Sequence, residues 1–137
     1  MLSGLAVEGF RDLAEAMRLA TETRKGASGL RASGMAYLEF VRRRPAIYGL
    51  MYEIRDASRR PEVVEAEAAA FEEMVRAVSL DFGDEAGDRG PRQVAQAIWA
   101  CARGIAALAI ARGEPGGLDA QTVDESVRGL EILVAPR

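Results

Sequence analysis

Residues 93–112, QVAQAIWACARGIAALAIAR, constrain the fold of this chain more than any other stretch. Val94, Ala95, Ala97, Ile98, Trp99, Ala102, Ile105, Ala106, Leu108, Ala109 and Ile110 cover nearly the whole circumference of a helix. A helix that is apolar all round is buried on more than one side. At the α-helical rise it is ~30 Å long, the width of a small domain. It is rich in alanine and carries Arg103 at its centre, both of which argue against a membrane span. One face is therefore expected to meet the chain's own core and the other to meet a partner.

The remaining helices are marked by periodicity and by their ends. Leu2, Leu5, Ala6, Gly9, Phe10, Leu13, Met17 and Ala20 follow helical spacing over residues 2–24, with Glu8, Arg11, Asp12, Glu15, Arg18 and Glu22 on the opposite face. This helix begins almost at Met1 with no capping segment, as though something preceded it. Residues 25–29 break the pattern, and Ser28 can cap a second helix over residues 29–43. Pro45 stops that helix near Arg44 and opens a short one over residues 46–55. Residues 56–60 form a polar connection. Pro61 and Glu62 open a fourth helix whose apolar set runs from Val63 to Leu80. Residues 81–90, DFGDEAGDRG, read as a loop, and Pro91 starts the long apolar helix. Gly113–Gly117 end it, and Asp119 caps a last helix to about Val134. Six helices, no convincing strand and no repeat predict an all-α single domain over residues 1–137.

Composition removes several function classes. The chain has no histidine, which excludes Ser-His-Asp and Cys-His catalysis, histidine zinc sites and a histidine pH switch. A net charge of −3 leaves no broad electrostatic footprint for nucleic acid. The basic run Arg42-Arg43-Arg44 reads as a solvated helix end complementing the dipole. A single cysteine, Cys101, forbids an intrachain disulfide and fits a reducing, cytoplasmic setting. On an apolar helix it is expected to be a buried, inert thiol. The N-terminus has no basic n-region and is not a signal peptide. Asp81, Asp84, Glu85 and Asp88 do not match an EF-hand spacing and read as a solvated loop, so no metal site is expected. Glu65, Glu67, Glu72 and Glu73 offer paired carboxylates, but on one helix these read as a solvated face. No nucleophile–base pair is visible, so no enzyme and no cofactor are expected.

Two motifs carry a family likeness. Arg44-Pro45-Ala46-Ile47-Tyr48-Gly49-Leu50-Met51-Tyr52 resembles the Pro-Ala-hydrophobic-Tyr-x-Leu-Met-aromatic segment of TetR-family transcriptional regulators. Trp99-Ala100-Cys101-Ala102-Arg103-Gly104 is similar to that family's Trp-x-x-x-His-Gly motif in the effector-binding region. The helix Gly29–Val41 precedes the first motif as it does in the family. The resemblance covers essentially the whole chain and implies an effector-binding and dimerisation domain. It departs from the family in two respects. The N-terminal helix-turn-helix is absent, so the chain alone is not expected to bind DNA, since the family's recognition helix is missing. Arg103 stands where histidine is usual; it keeps its charge and offers five donors, which favours an anionic ligand group or an internal carboxylate.

The resemblance also implies an apolar pocket between the inner helices. Its matching positions are Met17, Tyr37, Val41, Met51, Phe71, Met74, Val78, Trp99 and Arg103, for a small, mostly apolar or weakly anionic effector. Aromatic residues and methionines at this spacing serve equally as plain core. A twofold dimer interface is expected on two stripes: Val94, Ile98, Cys101, Ile105 and Leu108 on the long apolar helix, and Val123, Val127, Leu130 and Val134 on the last one. Paired across a twofold, these stripes make an isologous four-helix interface. The alternative to this interface is that the last helix closes the chain's own core; the alternative function is an interaction module that dimerises and binds no ligand.

Overall fold

The computed structural model describes residues 2–53, 60–83, 89–111 and 118–134. They form six helices: α1 (Leu2–Glu22), α2 (Gly29–Arg43), α3 (Pro45–Glu53), α4 (Pro61–Ser79), α5 (Arg89–Ala111) and α6 (Ala120–Val134). Among the described residues there is no strand. Asp84, Glu85 and Asp88, and the connections expected at 56–59 and 113–117, lie outside the described residues.

The caps explain the helix boundaries. The Ser28 side chain accepts the Arg31 N–H at 3.0 Å, and Asp81 accepts the N–H groups of Gly29 and Leu30 at 2.7 and 2.9 Å. The first turn of α2 is thus capped both locally and from the end of α4. Arg44 closes α2 by donating its N–H to the Phe40 carbonyl at 2.9 Å, and Pro45 then opens α3. The Asp119 side chain caps α6 by accepting the Thr122 N–H at 2.8 Å. α5 begins at Arg89, two residues ahead of the expected start at Pro91. Proline is tolerated inside a first turn, where its missing N–H has no intrahelical partner to lose.

α2 is the hub of the fold. It lies against α1, α3, α4, α5 and α6, whereas α5 lies mainly against α4 and α2, and α6 against α2. The long apolar helix is therefore at one side of the domain and not at its centre. Small residues allow α2 this position. A Cβ on Gly29 would sit 1.7 Å from the Ala77 carbonyl oxygen, so α4 approaches there to backbone contact. Ser33 is fully buried and donates its hydroxyl to the Gly29 carbonyl at 2.8 Å, which satisfies it inside its own helix. Around α2 the core gathers Phe10, Leu13 and Met17 of α1, Tyr37, Leu38 and Val41 of α2, Met51 of α3, Met74 and Val78 of α4, and Ile98 of α5.

α6 is held on α2 by apolar and ionic contacts. Val123 and Val127 are fully buried and Leu130 nearly so. The Arg31 guanidinium bridges Asp124 and Glu131, the latter at 2.8 Å. Of the expected interface, Val123, Val127, Leu130 and Ile98 are covered within the single chain. Of that set, Val94 and Ile105 are half-buried, while Cys101, Leu108 and Val134 are exposed. Cys101 is thus not the buried thiol that its apolar neighbours predicted. It lies on the side of α5 away from α2 and α4.

Candidate ligand site

Three helices present side chains in pairs four residues apart, which puts each pair on one helix face. α3 offers Tyr48 and Tyr52, α4 offers Glu67 and Phe71, and α5 offers Trp99 and Arg103. The three pairs converge with Tyr37 of α2 and Phe10 of α1. Tyr37 meets Trp99 edge-to-face at a centroid distance of 5.2 Å, and Trp99 meets Phe71 at 5.6 Å. Tyr37 also meets Tyr48 at 5.8 Å; Tyr48 lies 5.1 Å from Tyr52, and Tyr52 lies 5.3 Å from Phe10. The rings form one continuous chain from Phe71 to Phe10, edge-on at every contact except the tilted Tyr48–Tyr52 pair, as aromatic quadrupoles favour.

The polar atoms of this cluster are ordered too. The Tyr37 and Tyr48 hydroxyls share a short hydrogen bond inside the core. The Tyr52 hydroxyl donates to Glu67 Oε2 at 2.8 Å. The Arg103 guanidinium lies over the Tyr52 ring, 3.9 Å from its centroid. Burial raises the pKa of all three phenols. Tyr48 is pushed up only to about 12, because burial is opposed by the hydrogen bond from Tyr37 and by the nearby Arg103 charge. All three therefore stay protonated at neutral pH and act as hydroxyl donors.

The expected ligand residues divide by position. Tyr37, Phe71, Trp99 and Arg103 belong to the aromatic cluster. Met17, Val41, Met51 and Met74 are almost wholly buried in the core beneath it. Met51 presses on α1, where a Cβ on Gly9 would lie 2.6 Å from its sulfur. Val78 lies two turns along α4 from Phe71. It lines a separate cleft of about 550 Å³ with Leu30, Phe82, Val94, Glu131 and Val134. Tyr48, Tyr52 and Glu67 were not among the expected ligand residues. The repeated four-residue spacing of an aromatic with a second aromatic or a charge on α3, α4 and α5 is the signal that marks them.

The alternative sites dissolve into ordinary contacts. Arg42 and Arg43 pair with Glu39, at 2.8 and 3.5 Å, and Arg44 pairs with Asp12 at 2.7 Å. The α4 carboxylates disperse as well: Glu72 goes to Arg92, Glu73 to Arg76 at 2.8 Å, and Glu67 to Tyr52. Asp81 is spent on capping α2.

Residues 30–130 match the family described as Tetracyclin repressor-like, C-terminal domain. The chain belongs to that family. Among solved structures it is similar to one described as a protein with unknown function from Rhodococcus sp. RHA1. The two are 30% identical with a TM-score of 0.72, over 96% of this chain and 70% of that one. No curated protein matches. The tetracyclin repressor-like assignment accounts for the all-α, six-helix architecture, and no helix-turn-helix is evident among the described residues.

Proposed function

We propose that this chain is the effector-sensing and dimerisation domain of a tetracyclin repressor-like transcriptional regulator. The observation that carries the reading is the aromatic cluster, which ties α1, α2, α3, α4 and α5 together at one place. A small, mostly apolar effector that entered between the Tyr37, Phe71 and Trp99 rings would change how all five helices pack. Met17, Met51 and Met74 lie beneath the rings, and methionine reshapes readily around a guest. Displacement of α3 would reach α1 directly, because Met51 is in contact with Gly9. In an intact regulator α1 would carry that shift towards the DNA-binding domains. The effector acts only to the extent that it binds the two packings with different affinity.

Dimerisation belongs to the same proposal, on a redrawn face. α5 is long and apolar enough to cross a membrane, yet only 22% of its most apolar stretch is buried in the chain. Its exposed side presents Cys101, Gly104 and Leu108. α6 adds Ile132 and Leu133, 75% and 77% exposed. The cleft lined by Val94 and Val134 lies between these two helices. A second copy placed by a twofold would cover this apolar surface and form a four-helix contact. The assembly would be cytoplasmic.

A thermal-shift screen of chemically diverse small molecules, run beside native mass spectrometry, tests both parts. The proposal expects a dimer and a subset of compounds that raise the melting temperature, as ligands of the folded state must. A dimer unresponsive across the whole screen would establish the second reading, a ligand-free dimerisation module. That reading is favoured by the tight burial of Tyr37, Met51 and Met74. A monomer would overturn the interface.

A further inference from the structure

The geometry points to an oxyanion as the group recognised at the Arg103 end of the aromatic cluster: a carboxylate carried on an aromatic or other flat apolar body. This deepens the effector-sensing reading and rests on it.

The first ground is a fixed cation. Arg103 is exposed, and its guanidinium is stacked on the Tyr52 face at 3.9 Å. The ring beneath it is itself held, because its hydroxyl is tied to Glu67 at 2.8 Å and Phe10 packs against it at 5.3 Å. A stacked guanidinium loses one face to the ring, and although part of its edge is directed at the Tyr48 hydroxyl, its other N–H donors lie in the plane that pairs with a carboxylate. Among the described residues Arg103 makes no ion pair. Contrast Arg31, whose guanidinium is consumed by Asp124 and Glu131.

The second ground is a surplus of donors. Arginine brings five N–H donors and no acceptor, and each protonated phenol brings one O–H. One hydrogen lies between the Tyr37 and Tyr48 oxygens, and Tyr37 is also hydrogen-bonded to Tyr52. The Tyr52 hydrogen is already on Glu67. The cluster therefore offers one cation beside phenolic hydroxyls and a wall of rings. An uncharged apolar ligand covering this end would strip water from the Arg103 guanidinium and give nothing back, whereas a carboxylate would replace that water as acceptor. Half-buried Trp99, one helical turn before Arg103, supplies flat apolar surface for the ligand's body.

The test uses the full chain with 2-naphthoate and its neutral isostere 2-naphthamide, each titrated calorimetrically. The expected result is that naphthoate binds about tenfold more tightly than naphthamide, the scale of one charge-assisted hydrogen bond over a neutral one. Arg103→Gln removes the charge at an exposed position, so the fold is retained. It is expected to bring the two affinities within about twofold by weakening naphthoate alone. Tyr48→Phe, read the same way, should lower naphthoate binding and spare naphthamide. Equal binding of both probes to the unaltered chain, or an Arg103→Gln variant that still prefers naphthoate, overturns the oxyanion assignment and leaves effector sensing intact. Failure of both probes overturns the oxyanion assignment as well; the wider thermal-shift screen then separately decides whether the domain senses any ligand.

Discussion

α2 and α5 are the two most instructive regions of this chain because their sequences and their burial run in opposite directions. α5 has the more apolar sequence, yet its buried residues are only Pro91, Ala95, Ile98, Ala102 and Ala106 out of 23. α2 is shorter and more polar, yet nine of its 15 residues are buried. The difference is one of contact geometry. α2 carries Gly29, Ala32, Ser33 and Gly34, so the α4 backbone comes close at Gly29, Val127 of α6 packs at Gly34, and even a serine is enclosed. α5 rests on α4 and α2 along one side and holds its remaining apolar surface outward. Hydrophobicity tells how much surface a helix must hide; it does not tell whether its own chain or another will hide it.

The largest test of that contrast is a pair of truncations. Tyr37→Ala in α2 removes a fully buried ring that touches Tyr48 and Trp99, and is expected to cost about 4 kcal/mol in chemical denaturation. Leu108→Ala in α5 removes a side chain 59% exposed in the monomer. It should change monomer stability by no more than about 0.5 kcal/mol. Comparable losses at both sites would abolish the distinction between the helices. Gly29→Ala sharpens the same point by a different route. Its new methyl group would collide with the Ala77 carbonyl, forcing α2 and α4 apart at a cost of about 2 kcal/mol. An unchanged denaturation midpoint would show that the α2–α4 approach has slack.

The helices were legible in the sequence because their ends are written in side chains: Ser28, Pro45, Pro61 and Asp119 each mark a boundary that the structure reproduces within a residue or two. The hub was not legible, since glycine, alanine and serine in a helix leave no hydrophobic signature to find. Half of the candidate site was readable. Tyr37, Phe71 and Trp99 lie on apolar faces, Trp99 and Arg103 belong to one family-like motif, and the four converge. Tyr48, Tyr52 and Glu67 escaped because a periodicity argument assigns tyrosine to core and glutamate to solvent, whereas here the hydroxyl of one meets the carboxylate of another. The last helix teaches a related point. Val123, Val127 and Leu130 form a clean stripe, but a stripe alone does not say which helix covers it.

The outward side of α5 makes the next prediction, at the level of assembly. If a second copy covers Cys101 and Leu108, then Leu108→Ala should weaken dimerisation about tenfold, within the range for truncating a well-packed interface side chain. Native mass spectrometry across a dilution series reads this directly. Thiol labelling gives an independent reading, because Cys101 is exposed in the single chain. Its reaction with a maleimide should slow as protein concentration rises. Labelling at a constant rate over a concentration range that spans the dimer would place Cys101 outside the contact.

The smallest effect separates α5 from α6 by their response to acid. α5 contains no aspartate or glutamate, and its contact with α2 is apolar. α6 instead depends on carboxylates. The Asp124 carboxyl is held below its ordinary range chiefly by its hydrogen bond from Arg31, and Asp119 chiefly by the Thr122 backbone N–H at the cap. A carboxyl whose folded pKa lies below its unfolded value of about 3.9 gives its full stabilisation above that value. The stabilisation is then lost as pH falls through the folded pKa. Acidification from pH 6 towards pH 3 should therefore loosen α6 from α2 before it disturbs α5. Amide exchange followed by NMR would show protection falling first in residues 120–134, while residues 95–106 keep theirs. Simultaneous loss in both helices would mean that α6 is held by Val123, Val127 and Leu130 alone, with the charges around Arg31 contributing nothing measurable.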